Sequence, residues 1–492
     1  MLSPSRDEYQ QLSKFGCPVP VCRDVLADME TPLSAYWKLS HDETHSFLLE
    51  SVTGGEQLGR YSIIGVRPRL VVRCKGRTVR INQRGNQSKQ ELAEGEDPLQ
   101  VIHREVRPIL PELLHDMPKF CGGAVGMIAY DYVRTIEDLP DSTEDDLGID
   151  DVAMMVVESM VVFDHAKNIV KIVALADGSD EGYEGAKAEI ERINTRLQSP
   201  LPSLPTFKAG PNPVTANVER EAFEEGVKRI IEYIGAGDCI QAVPSIRFET
   251  EVGAHPLSIY RALRSLNPSP YMFYLQFSDF EIVGASPELM VGLSGREARV
   301  RPIAGTRPRG ETPQEDEFLE KDLLADEKER AEHIMLVDLG RNDLGRVCEY
   351  GSVKVGELMT VERYSHVMHI VSSVTGTLRQ GSDGVDLVRA CFPAGTVSGA
   401  QKVRAMQIID ETETTRRGLY AGAVGYFSSS GEVDLAIAIR TILIKGGRAY
   451  VQAGAGIVYD SVPSREYDEC VSKARAALRA IEIAQGGLLR ND

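Results

Sequence analysis

The amino-acid sequence predicts an α+β fold built on antiparallel sheet. Segments rich in β-branched residues follow one another with short links, as 153–164 and 169–175 do. Segments 434–444 and 448–456 are likewise joined by a short glycine-containing turn. Because parallel neighbours need a long crossover, this close succession favours antiparallel hairpins over a doubly wound sheet.

Further strand-like segments occur early and late in the chain. They are 46–51, 61–66, 69–74, 271–277, 281–286 and 421–427. Each is rich in aliphatic or aromatic residues that favour extended backbone. They predict strands that alternate with helical stretches.

Three longer segments have the apolar spacing of helices. They are 220–237, 315–340 and 464–487. In the first, Phe223, Val227 and Ile230 recur at intervals of three and four residues, and glycines follow. These patterns predict helices that each bury one face.

The stretch 199–213 is rich in proline and is the best candidate for a linker. It predicts an N-terminal region, 1–198, and a catalytic region, 214–492. No convincing internal repeat or low-complexity segment is present.

The composition excludes several classes of protein. The 492 residues are 42% hydrophobic and 26% charged, which are ordinary values for a globular protein. A net charge of −18 argues against nucleic acid or an anionic membrane as a partner. The eight cysteines form no C-x-x-C pair, so neither a zinc ribbon nor a dithiol redox site is indicated. Without an apolar signal or membrane-length run, we expect a cytoplasmic protein.

Two pairs of acidic residues have the same helical spacing. Glu329 and Glu332 share one face of the second predicted helix, and Glu466 and Glu469 share one face of the third. If the pairs converged, four carboxylates would suit Mg²⁺, which prefers oxygen ligands. Alternatively, these residues complement the helix dipole or form a solvated face.

The region after residue 439 combines a basic residue with glycines. Gly454 and Gly456 follow a predicted strand, where they would let an anion approach the backbone or would mark a bulge. Arg440 ends an apolar segment and is either an edge residue or a fork for a carboxylate. Lys473 is four residues from Glu469, so a simple ion pair would also explain it.

Two titratable residues are candidates for catalysis. His369 lies in an apolar, strand-like segment, where a core histidine is the common alternative, and His366 is its competitor. Glu288 follows Pro287 and is either a loop carboxylate or a buried acid. In an apolar surround its pKa would rise, and it could donate a proton near neutral pH.

Four motifs occur in a fixed order: RPIAGTRPRG (301–310), DLGRNDLGR (338–346), FPAGTVSGAQK (392–402) and VQAGAGIVYDSVPSREYDEC (451–470). Together they resemble the chorismate-utilising enzymes, and within that family they are most similar to the anthranilate synthases. Members that make aminodeoxychorismate usually carry Lys at the position of Ala304. Isochorismate and salicylate synthases carry a water-activating Lys at the position of Gln241. The resemblance therefore implies ammonia as the nucleophile.

The resemblance also implies an architecture and residue roles. It implies two antiparallel sheets packed face to face with helices outside, and an N-terminal region wrapped onto the catalytic core. The catalytic residues would be His369, Glu288 and Gln241. The substrate contacts would be Thr396, Tyr420, Arg440, Gly454, Gly456 and Lys473. The Mg²⁺ site would comprise Glu329, Glu332, Glu466 and Glu469.

The implied activity is the conversion of chorismate and ammonia to anthranilate and pyruvate, the first committed step of tryptophan biosynthesis. No cysteine lies in the G-x-C-x-G setting of a glutaminase, so glutamine use would require a separate amidotransferase subunit, as in a heterotetramer. The resemblance further implies feedback inhibition by tryptophan. That pocket would comprise Glu50, Ser51, Asn267, Pro270, Tyr271, Met272, Phe273 and Gly284. Ala436 stands where some relatives have Cys.

Three alternatives remain at this stage. One is a synthase that stops at aminodeoxyisochorismate, and another is an aminodeoxychorismate synthase. The third is a tryptophan-binding regulatory subunit without activity. The complete set of acids together with Arg440 and His369 argues against the third.

Overall fold

Two large antiparallel sheets form the centre of the molecule in the computed structural model, which describes residues 2–26, 29–51, 59–114, 117–205, 212–364 and 367–486. Within these residues the first sheet has twelve strands. In spatial order they are β1 (Leu2–Ser3), β2 (Val19–Leu26), β11 (Ile169–Ala176), β10 (Ser159–Asp164), β4 (Tyr61–Val66), β3 (Ser46–Glu50), β15 (Tyr271–Gln276), β16 (Phe280–Ser286), β27 (Thr441–Lys445), β28 (Arg448–Gly454), β14 (Ser245–Glu251) and β12 (Thr215–Ala216).

In the described part of the chain the second large sheet has eleven strands, and two small sheets accompany it. In spatial order the eleven are β20 (Lys354–Val355), β23 (Val374–Thr377), β18 (Glu297–Val300), β17 (Leu289–Ser294), β26 (Val433–Ile437), β25 (Ala423–Ser428), β8 (Gly123–Ile128), β9 (Val152–Val157), β5 (Leu70–Lys75), β6 (Thr78–Gln83) and β7 (Asn86–Glu91). The small sheets are β19 (Ile303–Pro308), β22 (Val367–Val371) and β21 (Thr360–Arg363), and β13 (Gln241–Ala242) with β24 (Gly399–Ala400).

Helices accompany the sheets. The α-helices are α1 (Arg6–Leu12), α2 (Pro32–Ser40), α3 (Pro98–Glu105), α4 (Asp180–Leu197), α5 (Arg220–Ala236), α6 (Pro256–Leu266), α7 (Pro313–Ala325), α8 (Glu327–Gly345), α9 (Gly384–Cys391), α10 (Gly395–Ser398), α11 (Lys402–Thr412) and α12 (Pro463–Gly486). Short 3₁₀ turns cover Ser13–Phe15, Pro111–Leu113 and Tyr130–Thr135. In the described part of the chain, no helix combines the length and the apolar character that crossing a membrane requires.

The large sheets pack face to face. Along β8, Val125 and Met127 belong to a core shared with the first sheet, whereas Ala124 and Ile128 belong to a core on the opposite face. The Phe120 ring contacts Phe47 of β3 and Tyr426 of β25, with ring centroids 6.4 Å and 4.8 Å apart. The predicted α+β fold with two face-packed antiparallel sheets is confirmed.

Strands from both sides of the proline-rich stretch pair within each large sheet. In the first sheet β3 pairs with β15, and in the second β8 pairs with β25. The stretch therefore connects two parts of shared sheets. Its residues 206–211 lie outside the described residues.

Two predicted continuous strands are wrong, because the chain changes sheets within them. Segment 153–164 breaks at Glu158 into β9 of the second sheet and β10 of the first. Segment 434–444 breaks between Ile437 and Thr441 into β26 and β27. β-propensity is equally high on both sides of each break, so only tertiary packing determines where the chain crosses.

The predicted helix 315–340 is also divided, into α7 and α8. Asp326 ends the first helix and caps the second, and its carboxylate accepts bonds from the backbone N–H groups of Lys328 and Glu329. A short polar side chain that competes for backbone donors favours such a break. The break places Glu329 in the first turn of α8.

Candidate active site

Glu288 lies where the chain passes from β16 to β17, and so from the first large sheet to the second. It is only 6% exposed. Burial raises the pKa of this carboxyl to about 8, although Thr396, the Ile303 backbone and the Lys473 charge act in the opposite direction. Its proton is therefore retained at neutral pH and available for donation.

Thr396, on the short helix α10, lies beside Glu288. The two residues line the same small cavity, together with apolar side chains such as Leu336 and Leu339. The Thr396 hydroxyl oxygen is buried and is near enough to Glu288 to lower the pKa of that carboxyl, but it makes no hydrogen bond of normal distance and angle among the described residues. An unpartnered hydroxyl in a buried position is costly, and a ligand hydroxyl or carboxylate would satisfy it.

Arg440 occupies the second passage between the sheets, between β26 and β27. Its φ of +52° lies in the left-handed region, which is uncommon for a residue other than glycine. Its Nη1 donates to the carbonyl of Lys473 at 2.5 Å, and burial lowers the pKa of the guanidinium. Among the described residues it makes no ion pair, so its remaining donors can receive an anionic ligand.

Tyr420 and Gly454 lie in close contact near this arginine. A Cβ atom on Gly454 would lie 2.7 Å from the Tyr420 hydroxyl and 2.6 Å from the Pro244 carbonyl oxygen. Any side chain there would therefore displace the ring. Burial raises the pKa of Tyr420 well above its usual range, so its hydroxyl remains a donor.

Lys473 lies on α12, the third of the three predicted helices, and contacts the end of strand β28 at Gly454. Its Nζ donates to the Gly454 carbonyl at 3.0 Å and pairs with the Glu469 carboxylate at 2.7 Å. The ion pair foreseen from spacing is therefore present, and the same ammonium also reaches the glycine strand end.

Gly456, Gln241 and Glu332 form a second close group. Gln241 Nε2 donates to Glu332 Oε1 at 3.0 Å. A Cβ atom on Gly456 would lie 2.7 Å from Gln241 Nε2 and 3.6 Å from Glu332 Oε1. The glycine therefore permits one strand end and helix α8 to approach each other.

The two acid pairs lie at the starts of α8 and α12. Burial, followed by the charge of Glu332, raises the pKa of Glu329. Burial also raises the pKa of Glu466, and the Lys328 charge of the other helix lowers it, so the two helix starts are neighbours.

Carboxylates that repel one another suit a hard dication, because they supply both negative charge and the oxygen ligands that such an ion prefers. Within the residues described by the structure, however, no three or more His, Cys, Asp or Glu side chains are gathered closely enough to hold a metal ion. The predicted ligand set therefore stays a prediction.

His369 lies in β22, between β19 and β21. Its Nδ1 is 3.0 Å from the Gly305 carbonyl oxygen and 3.0 Å from the Thr306 hydroxyl. Because a carbonyl only accepts, Nδ1 carries the hydrogen, and the neutral ring keeps a free lone pair on Nε2. Burial lowers the pKa of His369, and Arg440 lowers it further. His366 lies outside the described residues.

The residues predicted for tryptophan lie on or directly beside three neighbouring strands, β3, β15 and β16. Met272 pairs with Glu50, and Phe273 pairs with Gly284, where a Cβ atom would lie 2.0 Å from the Phe273 ring. The Ser51 hydroxyl is buried without a partner among the described residues. The remaining members are Asn267, which ends α6, buried Pro270, and Tyr271 at the start of β15.

Several residues of these sites were not found from the sequence. Glu50 accepts hydrogen bonds from the Tyr260 hydroxyl at 2.6 Å and from Arg264 Nε at 3.1 Å. Beneath Tyr420 lies buried Arg417, paired with Glu413. Neither arginine lies in a motif that signals its partner, so tertiary contacts alone reveal them.

The model of the chorismate binding enzymes matches residues 44–479. The chain therefore belongs to the chorismate-binding enzyme family. Among curated relatives, one from Pseudomonas aeruginosa is 47% identical over 98% of this chain and 99% of its own length. Another, from Thermus thermophilus, is 48% identical over 95% of this chain and 99% of its own. Both are named anthranilate synthase component 1.

Solved structures show the same likeness. Anthranilate synthase component I from Streptococcus pneumoniae superposes with a TM-score of 0.77 at 37% identity, covering 92% of this chain and 99% of that one. A menaquinone-specific isochorismate synthase from Escherichia coli superposes with a TM-score of 0.70 at 19% identity, covering 97% and 98%. The second likeness is one of fold alone.

Proposed function

We propose that this chain is an anthranilate synthase of the component 1 type, which converts chorismate and ammonia to anthranilate, pyruvate and water. The observation that carries the proposal is Glu288, a buried acid with a pKa of about 8 beside an unpartnered hydroxyl and near a basic group. Such an acid suits the departure of a hydroxyl from a ring. The end-to-end likeness to proteins of that name supports the particular reaction.

The substrate would be held by its carboxylates. Arg440 and Tyr420 would bind the enolpyruvyl carboxylate, because the guanidinium has free donors and the phenol remains protonated. Thr396 and the backbone at Gly454 and Gly456 would contact other parts of the substrate. Lys473 would provide a cation near the second carboxylate.

The four glutamates of α8 and α12 would hold Mg²⁺. When bound, the ion would supply positive charge to the ring carboxylate. The half-buried Glu329 and buried Glu466, whose pKa values are raised, are the members whose negative charge most needs compensation.

The chemistry divides into two steps. Ammonia forms a bond to C2 of the ring while the C4–O bond breaks, and Glu288 donates its proton to the departing hydroxyl, which leaves as water. The new ammonium group at C2 then releases one proton to solvent, and Glu288 regains a proton from solvent. In the second step the C2 proton is removed, the C3–O bond breaks, and the side chain leaves as pyruvate once its methylene carbon is protonated. Nε2 of His369 is the candidate acceptor for the C2 proton. Gln241 cannot act as a base for water, which suits ammonia as the nucleophile.

The partner and the regulation belong to the same proposal. A component 1 would receive ammonia from a glutamine amidotransferase subunit in a heterotetramer and would otherwise use free ammonia. Tryptophan would inhibit by binding beside Glu50 and Ser51. A cytoplasmic location would suit this biosynthetic role.

The test is to incubate the purified chain with chorismate, Mg²⁺ and ammonium at mildly alkaline pH, without glutamine, and to follow the fluorescence of the product anthranilate. We expect anthranilate to appear, and EDTA to abolish it. Chorismate consumed without anthranilate would contradict the proposal, and the product mass would then identify an amino intermediate or an isomer. Unconsumed chorismate would also contradict it and would favour a non-catalytic role.

A further inference from the structure

Arg417 is a buried arginine with an unusual set of partners. It belongs to the segment that connects α11 to β25, and its side chain is 2% exposed. Nε and Nη2 donate to the two carboxylate oxygens of Glu413, at 2.9 Å and 2.7 Å. This bidentate pair holds the plane of the guanidinium in one orientation.

The other donors of Arg417 reach two separate backbone segments. Nη1 donates to the Val397 carbonyl at 2.8 Å, and Nη2 donates to the Val243 carbonyl at 2.5 Å. Val397 follows Thr396 directly, and Val243 lies two residues after Gln241. A single planar group therefore fixes the two segments that carry these residues.

A third segment is held through the ring of Tyr420. The guanidinium carbon of Arg417 lies 5.5 Å from the Tyr420 ring centroid, and 4.8 Å from that of Tyr130 in the 3₁₀ turn Tyr130–Thr135. Stacking of this kind is attractive and sets the tilt of the phenol. The Tyr420 hydroxyl is directed towards Gly454, where a Cβ atom would lie 2.7 Å away.

Glu413 extends the network to the glycine strand end. Its carboxylate accepts bonds from the Ser245 backbone N–H at 2.9 Å and from the Ser245 hydroxyl at 2.7 Å. The preceding Pro244 accepts a hydrogen bond from the backbone N–H of Ala455, between the two glycines. The Arg417–Glu413 pair thus has contacts next to four separate parts of the candidate substrate site.

We infer that Arg417 is a positioning residue for chorismate, which sets the mutual placement of Thr396, Tyr420 and the Gly454–Gly456 strand end. This inference rests on the proposed function, because it concerns that same substrate. Because the buried Val397 carbonyl needs a donor in either case, stability does not separate a folding role from a positioning role, and chorismate binding is the readout that does. Lysine cannot replace the arginine, since one ammonium group lacks the planar fork that meets all these acceptors together.

The test compares Arg417→Lys with Arg73→Lys as a matched control. Arg73 also forms a bidentate ion pair, with Asp279, and contacts buried Asp150, but it lies on β5, outside the candidate site. We expect both variants to unfold at a lower temperature. Only Arg417→Lys should raise the KM and the dialysis Kd for chorismate, by roughly tenfold or more, while the KM for ammonium stays within about twofold.

A chorismate KM and Kd within about twofold of the wild-type values, with only the unfolding temperature lowered, would overturn the inference. If Arg417→Lys does not fold, Glu413→Gln provides the second variant. It keeps an acceptor for Ser245 but weakens the hold on the guanidinium, so several-fold weaker chorismate binding is expected, and unchanged binding would contradict the inference.

Dialysis separates this inference from the proposed function. A wild-type chain that binds chorismate but forms no anthranilate would contradict the proposed reaction, whereas the effect of Arg417→Lys on the Kd would still decide the positioning role. A wild-type chain that binds no chorismate would contradict both.

Discussion

The candidate active site and the strand site around Glu50 differ in how their charged groups are partnered. Glu50 is already bound by Tyr260 and Arg264. Arg440, by contrast, makes no ion pair among the described residues, and burial disfavours the charged form of Glu288. Unsatisfied buried groups cost stability, and a ligand that satisfies them binds where they lie.

The difference teaches where substitutions should act. In the candidate active site, the unpaired groups are available for substrate, so substitutions there should change turnover or chorismate affinity. At the strand site the charge is satisfied without a ligand, and the Ser51 hydroxyl is the buried group left unpartnered in the described structure. Substitutions there should change inhibition and leave turnover intact.

The largest expected effect comes from the acid pairs. The double variant Glu332→Ala, Glu469→Ala removes one carboxylate from each helix and should lower activity by about a thousandfold or more, because it would remove negative charge from both sides of the proposed Mg²⁺ site. Excess Mg²⁺ should not restore turnover. The control is Glu327→Ala, Asp468→Ala, which removes exposed acids from the same two helices. Retained turnover in the first variant would refute the metal site.

Glu288→Gln should have the next largest effect on activity. Removing a general acid lowers kcat by roughly a hundredfold to ten-thousandfold. In the wild-type enzyme, at a fixed concentration of unprotonated ammonia, kcat should fall as the pH rises through the pKa of about 8, because the carboxyl loses the proton that it donates. This falling limb should be absent from the variant. A limb that persists in Glu288→Gln would assign it to another group.

The same pKa predicts a change in stability with pH. The folded pKa of Glu288, about 8, lies above the unfolded value of about 4.3, so its contribution to stability is complete below the unfolded value and is lost as the pH rises towards 8. Glu288→Gln carries no such charge. Thermal unfolding at intervals of about one pH unit should therefore show the variant gaining stability relative to wild type from about pH 5 to about pH 8, with no further gain above that pH. A constant difference would contradict burial as the cause.

Arg440→Lys should mainly weaken substrate binding. The loss of a forked contact to a carboxylate should raise the KM for chorismate by roughly tenfold to a hundredfold, measured at saturating ammonium. Arg448→Lys is the control, because that half-buried arginine of β28 pairs with Glu249 of the neighbouring strand β14. An equal KM for the two variants would argue against a carboxylate at Arg440.

The smallest effect on activity is expected from Ser51→Phe. The larger side chain should fill the space beside the unpartnered hydroxyl, so turnover should stay within about twofold while inhibition by tryptophan is lost. The measurement is the tryptophan concentration that halves the initial rate, with Ser294→Phe, at an exposed position of β17, as the control. Unchanged inhibition in Ser51→Phe would count against this pocket.

The sequence predicted the fold class because close strand succession depends on local patterns. It did not predict the passages between sheets at Glu158 and around Arg440, since both flanks of each have the same strand preference. The acid pairs were found from spacing, and Arg440 from its motif. The sequence did not predict the role of Arg417, because two of its partners are the backbone carbonyls of Val243 and Val397, which no side-chain pattern encodes.

The central claim is that chorismate binds between Glu288 and Arg440. The most direct measurement is a crystal structure of Glu288→Gln with chorismate and Mg²⁺. We expect the enolpyruvyl carboxylate against Arg440 and Tyr420, the ring beside residue 288, and the metal between the glutamates of α8 and α12. Chorismate bound elsewhere, with Arg440 contacting only the Lys473 carbonyl, would contradict the account.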